Sequence, residues 1–414
     1  MKFDTYPISA ILKKNLAKQG LKRPTDIQYK AIPSIIKGED VLAIAQTGTG
    51  KTAAFAVPII DRIHQAKTSK KSFGIHCIVM VPTRELAVQI NDVFTALGRK
   101  TKVKSLAVFG GVEQDKQISD LAWGIDILIA TPGRMFDLIS QGAIDVRRVK
   151  VLVLDEADQM LDRGFIKDIQ SIKRKLKQRH QTLFFSATIN KEIKKLAFSQ
   201  VNTSAIRIQI SPDDPVSKNV SHCVVFVEMD DKRFFLRRFV RDHPESKVMV
   251  FVRTMVRAER VAKALARGNI KALTIHGQKD QAERLEVMTR FKSDDHKILI
   301  ATDVSARGID IPNVDYVINY DLPDQKEVYV HRVGRTGRGR SKGAALSFCS
   351  TGEKEMLREI EGFLSKEIER VTLGKDEYSL TVDVLDGPES IQEMIRANED
   401  WERKRKKKAR RKRR

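Results

Sequence analysis

The chain is short of the features that mark secreted and membrane-spanning proteins. Three cysteines occur in 414 residues. Cys77, Cys223 and Cys349 are far apart, each inside an apolar, strand-like run, so neither a disulfide framework nor a zinc site is expected and all three are predicted to be small core residues. No uninterrupted apolar run approaches the roughly 18 residues of a membrane span, and Met1-Lys2-Phe3-Asp4 opens no apolar signal core. The expectation is a soluble, reducing compartment, the cytoplasm. Acid is scarce relative to base: 53 Asp and Glu face 76 Lys and Arg, a formal charge of +23. Such an excess points to a polyanionic partner, nucleic acid or an anionic membrane surface. From Trp401 to Arg414 eleven basic residues face one Glu, which puts +10 in the tail and leaves +13 for the body, so the two need separate explanations.

What is present suffices for two domains, since 41% of residues are hydrophobic. Short β-branched runs alternate with polar segments of helical length: Val41 to Ala45, Cys77 to Val81, Ser105 to Phe109, Ile125 to Ala130, Val149 to Leu154 and Thr182 to Phe185. After the polar, Pro-containing stretch Ser211 to Lys218 the rhythm resumes at Val224 to Val227, Val248 to Val252, Ala272 to Ile275, Ile298 to Ala301, Tyr316 to Asn319 and Ala344 to Cys349. Strands apolar throughout and interleaved with helices predict an α/β fold, each domain a mostly parallel sheet with helices on both faces. The expected division is 1–210, a linker at 211–218, 219–375, and an extension at 376–414. That extension is expected to hold an amphipathic helix from Ile391 to about Trp401 and a basic tail without structure of its own.

Directly after the first run comes Gln46-Thr47-Gly48-Thr49-Gly50-Lys51-Thr52 and then a helix-compatible stretch. Glycines let backbone N–H groups wrap a phosphate, the helix N-terminus adds its dipole, Lys51 reaches β and γ phosphates, and Thr52 offers a hydroxyl to Mg²⁺. Ala45 stands where the generic P-loop pattern has its first Gly. A second strand, Val151 to Leu154, delivers Asp155-Glu156-Ala157-Asp158. Asp155 is expected to hold Mg²⁺ through water and Glu156 to orient or deprotonate the attacking water. Three carboxylates in four residues also fit a solvated turn or a helix start.

Asp155 to Asp158 is the tetrapeptide for which the DEAD-box helicases are named, and the chain resembles that family over roughly residues 3 to 350, with its motifs in order. The resemblance implies two tandem RecA-like domains and an ATP-dependent RNA helicase. It also implies that Gln28 recognises the adenine edge and Phe3 stacks on the ring. Pro82-Thr83-Arg84-Glu85-Leu86, Gly110-Gly111 and Thr131-Pro132-Gly133-Arg134 resemble the family's backbone-contacting motifs, which assigns Thr83, Arg84, Gly111, Thr131 and Arg134 to RNA. His276-Gly277 with Gln281 and Arg284, and Thr302 within Ala301 to Asp310, extend that track into the second domain. There the resemblance gives Asp303 to the nucleotide and has Asp310 hold the arginine fingers. Those fingers are Arg335 and Arg338 in the segment from His331 to Arg338, and Ser186-Ala187-Thr188 matches the motif that couples ATP state to unwinding through Asp158 and His331. The compact core with a short basic end is similar to the bacterial RhlE-like branch, which implies ribosome assembly or RNA turnover. An ATP-dependent RNA clamp that seldom unwinds, and a DNA translocase, remain open alternatives. The tail, Arg403 to Arg414, suits phosphate attraction without base stacking, since no aromatic follows Trp401; a nuclear-import signal or a solubilising end is its other reading.

Overall fold

The computed structural model describes residues 2–46, 48–69, 71, 74–188, 191–210, 216, 219–293, 295–303, 314–337 and 342–383. The linker apart from Val216, the expected helix from Ile391 and the basic tail lie outside them.

Two seven-stranded sheets organise these residues, and every pairing within them is parallel. The first contains β1 (Val41–Ala45), β2 (Cys77–Met80), β3 (Ser105–Val108), β4 (Ile127–Ala130), β5 (Val151–Leu154), β6 (Gln181–Ser186) and β7 (Ile206–Ile210), in the order β3-β4-β2-β5-β6-β1-β7. Its helices are α1 (Ala10–Lys18), α2 (Asp26–Ile36), α3 (Lys51–Ala66), α4 (Arg84–Leu97), α5 (Gln114–Ala122), α6 (Pro132–Ser140), α7 (Ala157–Asp162), α8 (Ile166–Lys175) and α9 (Lys191–Gln200). Because a strand points successive side chains to opposite faces, β5 sends Val151 and Val153 into one apolar cluster with Phe55 and Phe185, and Leu152 and Leu154 into another with Phe184. Helices must cover both clusters, which is why the strands carry no polar alternation.

The second sheet repeats the plan with β8 (Val220–Phe226), β9 (Val248–Phe251), β10 (Leu273–Ile275), β11 (Ile298–Ala301), β12 (Tyr316–Asn319), β13 (Gly343–Cys349) and β14 (Glu369–Val371), ordered β10-β11-β9-β12-β13-β8-β14. Around it lie α10 (Lys232–Asp242), α11 (Met255–Ala266), α12 (Gln281–Lys292), α13 (Lys326–Val333), α14 (Lys354–Leu364) and α15 (Lys375–Asp383). These are the tandem RecA-like domains that the sequence predicts.

Three expectations change. The edge strands β7 and β14 carry no sequence signal of the kind that marks the others, for Ile206–Ile210 has alternating Arg207 and Gln209, and all of Glu369–Val371 is exposed. Cys223 is only half-buried, whereas Cys77 and Cys349 are buried. The boundary expected at 375/376 falls at the start of α15, which packs on α10: the Tyr378 ring lies 4.9 Å from that of Phe235, its hydroxyl donates to Asp231 Oδ2 at 2.7 Å, and Arg238 Nη1 donates to Thr381 Oγ1 at 2.7 Å.

Candidate nucleotide and RNA site

The P-loop joins β1 to α3. Gly48 and Gly50 sit at φ of +79° and +91°, left-handed backbone that glycine adopts without the penalty a Cβ brings. Gly50 has a second constraint: a Cβ there would collide with the Gln28 side-chain amide. Gln28 is buried, accepts from Thr25 N at 3.0 Å in the capping box of α2, and donates from Nε2 to Gly50 O at 3.1 Å. It therefore latches the P-loop, with one amide hydrogen and one lone pair left for a ligand. Phe3 is buried against Tyr6 with ring centroids 5.9 Å apart. Lys51 is buried and its Nζ donates to Ala45 O at 2.9 Å. Thr49 Oγ1 donates to Gln46 O at 2.7 Å, which tightens the loop. Thr47 lies outside the described residues.

Strand β5 ends at Asp155 and Glu156, both buried. Glu156 is one of four non-glycine residues with positive φ among the described residues, at +53°, a conformation that costs a side-chain-bearing residue roughly 1–2 kcal/mol. Such strain at a strand end is common where a reacting group must be aimed. Burial raises the carboxyl of Asp155, against the pull of Lys51. Burial raises Glu156 to about 7, with Arg335 opposing the shift, and its Oε2 is buried without a hydrogen-bond partner among the described residues. Asp155 and Glu156, two buried carboxyls beside Lys51, fit a divalent cation that would add positive charge.

Asp158 Oδ2 accepts from Ala187 N (3.0 Å), Thr188 N (2.9 Å) and Thr188 Oγ1 (3.0 Å), while Ser186 Oγ donates to Thr188 O at 2.8 Å. The same carboxylate lies 3.8 Å from His331 Nε2 in the second domain. Burial alone would raise Asp158; His331, Lys51 and the Thr188 hydrogen bonds outweigh it and hold the group below its usual value.

The track residues sit at strand ends. Thr83 caps α4, its Oγ1 accepting from Leu86 N at 3.2 Å. Gly111, at φ +79°, has the Arg84 guanidinium where a Cβ would be. Thr131 precedes α6 with Pro132 at its first position, and Arg134 Nη2 donates to Val112 O at 3.1 Å. In the second domain Thr302 is buried after β11, and Gly277 has room for a side chain, meeting only Met255 Sδ at 3.9 Å.

Gln281 and Arg284, expected on RNA, turn to the first domain. Arg284 Nη2 lies 2.8 Å from Glu85 Oε1, Gln281 Nε2 donates to the same oxygen at 3.4 Å, and Arg84 Nη1 reaches Gln281 Oε1 at 3.5 Å. The physical reason is the burial of Glu85, 6% exposed, since a buried carboxylate needs a cation. Sequence reasoning misses Glu85, because an acid following a basic residue at a helix start gives no sign of a partner in another domain.

Arg335 is buried, donates from Nε to His331 O at 3.2 Å, and lies close enough to act on the Glu156 carboxyl. Arg332, also missed from sequence, is 1% exposed; it grips Asp303 through Nε (2.6 Å) and Nη2 (2.8 Å) and donates from Nη1 to Asp321 O at 2.6 Å. Arg338 and Asp310 lie outside the described residues.

A P-loop domain and an arginine-bearing second domain that meet across a cleft define a tandem RecA-like architecture. The DEAD/DEAH box helicase pattern matches residues 25–196 and the helicase conserved C-terminal pattern residues 231–340. The chain is similar to the ATP-dependent RNA helicase DbpA of Bacillus subtilis, 36% identical over 369 residues, 89% of this chain and 76% of that protein. It is 37% identical over 370 residues to the ATP-dependent RNA helicase dbp2 of Sclerotinia sclerotiorum, covering 88% of this chain and 64% of that protein, less than two thirds of its length. Among solved structures, S. cerevisiae Dbp5 bound to RNA and ADP BeF3 matches with a TM-score of 0.82 at 28% identity, over 93% of this chain and 100% of that one. A point variant of the same yeast protein, bound to Nup159, a Gle1 variant, IP6 and ADP, gives a TM-score of 0.62 at 28% identity, over 91% and 99%. The chain belongs to the DEAD-box RNA helicase family.

Proposed function

We propose that the chain is an ATP-dependent RNA helicase whose hydrolysis site is completed by domain closure. The observation that carries the reading is the approach of His331 Nε2 to within 3.8 Å of the Asp158 carboxylate across the two domains, with the Arg335 charge opposing the rise of Glu156. The higher TM-score with the RNA- and ADP BeF3-bound form of Dbp5 than with the ADP-bound complex supports a domain arrangement like that of the RNA-bound form.

In this reading the amides after Gly48 and the Lys51 ammonium bind the ATP phosphates, and Gln28 turns its remaining amide capacity to the adenine edge. Mg²⁺, reached by Thr52 and Asp155, supplies charge neutralisation at those phosphates when bound. Glu156 accepts the proton of the attacking water, and a buried carboxyl near neutrality is suited to that task. Arg335, with Arg338, meets charge that develops on the γ-phosphate, worth about 10³ to 10⁵ in rate for fingers of this kind. Thr83, Arg84, Gly111, Thr131, Arg134, Gly277 and Thr302 form the RNA track. Contacts to backbone and 2′-OH make binding independent of sequence and selective for RNA, and a closed track that bends one strand is incompatible with A-form duplex. Asp303, gripped by Arg332, carries nucleotide state into that track, and Asp310 steadies the fingers. The domains are assigned to 1–210 and 219–375, joined by 211–218, with α15 (Lys375–Asp383) packed on the second domain and the basic tail adding RNA affinity. The compact core supports a place in the RhlE-like branch, with cytoplasmic ribosome assembly or RNA turnover as its setting.

ATP hydrolysis with and without single-stranded RNA, with DNA and GTP as controls, tests the reading. Stimulation by RNA alone, confined to ATP and accompanied by strand separation, is the expected result. A rate indifferent to RNA would remove the coupling.

A further inference from the structure

The track and the tail leave one charged surface of the body unexplained. Residues 166–200 hold nine Lys and Arg against two acids, Asp168 and Glu192, a net of +7. Helices α8 and α9 share one apolar cluster, with Ile169, Ile172, Ile193 and Leu196 packed beneath Leu154 and Phe184. Lys173 of α8 donates to Ser199 O and Gln200 O at 2.7 Å each, so the C-terminal ends of the two helices adjoin and that charge serves the last carbonyls of α9.

The other cations turn outward. Arg174, Lys175 and Lys177 are exposed at the end of α8, and Lys191, Lys194 and Lys195 are exposed on α9. Phe198, three, four and seven positions beyond the α9 lysines, shares their face; it is 41% exposed, with the Arg207 guanidinium 4.6 Å over its ring. Among the described residues none of these six cations forms an ion pair, and Arg174 reaches only Ser171 Oγ at 3.2 Å. Exposed cations elsewhere do find carboxylates, as in Arg147 with Asp145 at 2.8 Å and Arg290 with Glu286 at 3.5 Å.

Crowded like charge without counter-charge opposes the compact state, so the surface is matched to an anionic ligand. Protein interfaces are depleted in Lys and concentrate aromatic residues in a buried core. Interfaces with nucleic acid are polar and strongly positive. A lysine-dominated ridge with one exposed phenyl fits the second description. We propose that the α8–α9 face of the first domain is an exosite for the phosphodiester backbone of RNA. It is distinct from the track, because Thr83, Gly111 and Thr131 follow β2, β3 and β4 toward one edge of the sheet, whereas α8 and α9 flank β6 on the other side of β5. An RNA held in the track continues, as duplex or folded segment, over this ridge. The inference rests on RNA being the ligand of the helicase core.

The test compares full-length protein with the triple variant Lys191→Gln, Lys194→Gln, Lys195→Gln, and with Arg174→Gln, Lys175→Gln on the neighbouring helix. Two RNAs are titrated against salt: a short single strand, and the same strand continued into a hairpin. For the triple variant, binding of the hairpin-bearing RNA weakens on the order of tenfold, and its log Kd against log salt slope falls by about 2, at roughly 0.7–0.9 per lost phosphate contact. The α8 variant shifts both quantities in the same direction. Short-strand binding and the ATPase it stimulates stay as in the parent. An unchanged slope, as for a solubilising face or a site for acidic protein, or equal losses on both RNAs, overturns the exosite. If the parent's ATPase ignores RNA altogether, the helicase reading has failed instead.

Discussion

Arg284 of α12 and Glu85 of α4 form a 2.8 Å ion pair between the two domains, with both side chains largely buried. Because the pair joins the two domains, it contributes to the free energy of holding them together. Arg284→Ala is expected to lower RNA-stimulated kcat/KM about tenfold, as for truncation of one member of a buried pair discounted for partial exposure. The swap Glu85→Arg with Arg284→Glu should recover part of the loss. Strictly additive costs in that cycle would mean that the pair does not couple.

A carboxyl raised to about 7 gives Glu156 two signatures. As the base it must be ionised, so kcat/KM should climb through that pH, and Glu156→Gln should be slower by about 10²–10⁴ and lack the limb. Stability has the opposite sign. The folded value lies above the unfolded one, so the favourable contribution is complete below about 4.5 and is lost as pH rises through about 7. Nucleotide-free wild type should therefore lose Tm relative to Glu156→Gln between about pH 5 and about pH 8. A constant gap would argue that the folded value is not raised.

Gln28 holds Gly50 O through its amide hydrogen, and a carboxylate cannot donate. Gln28→Glu should keep the capping bond from Thr25 N and thus most of the Tm, while the KM for ATP rises about tenfold, the size of one lost hydrogen bond. Gly50→Ala should be worse on both measures, since it adds left-handed strain and the collision with Gln28. Equal KM values for wild type and Gln28→Glu would separate the latch from nucleotide binding.

Asp158 accepts three hydrogen bonds from Ala187 and Thr188. Asp158→Ala leaves those donors unsatisfied and should cost about 2–4 kcal/mol in urea unfolding. Asp158→Asn, with one acceptor oxygen kept, should unfold near wild type yet separate fewer strands per ATP. Normal unwinding by the Asn variant would remove Asp158 from the coupling route.

The alternation of apolar runs with helical segments is enough to establish that both halves are parallel sheets covered on two faces, because a strand buried on both sides is mostly apolar and its few polar residues must find partners inside. It marks the P-loop and the acidic strand end as well, since glycines, Lys51 and paired carboxylates at those positions follow from local backbone geometry. The edge strands β7 and β14 escape that reading because their residues are partly or wholly exposed and need not be apolar, unlike the edge strand β10, which is buried and apolar enough to be read. What lies between segments distant in sequence is settled in three dimensions alone. Gln28 is an ordinary helix-start residue until α2 packs beside the P-loop, and Glu85, Arg284 and Arg332 acquire partners only when strand ends and domains are brought together. Local sequence dictates which groups a strand end carries; burial and charge pairing across long separations depend on the assembled fold, and they select which of those groups meet.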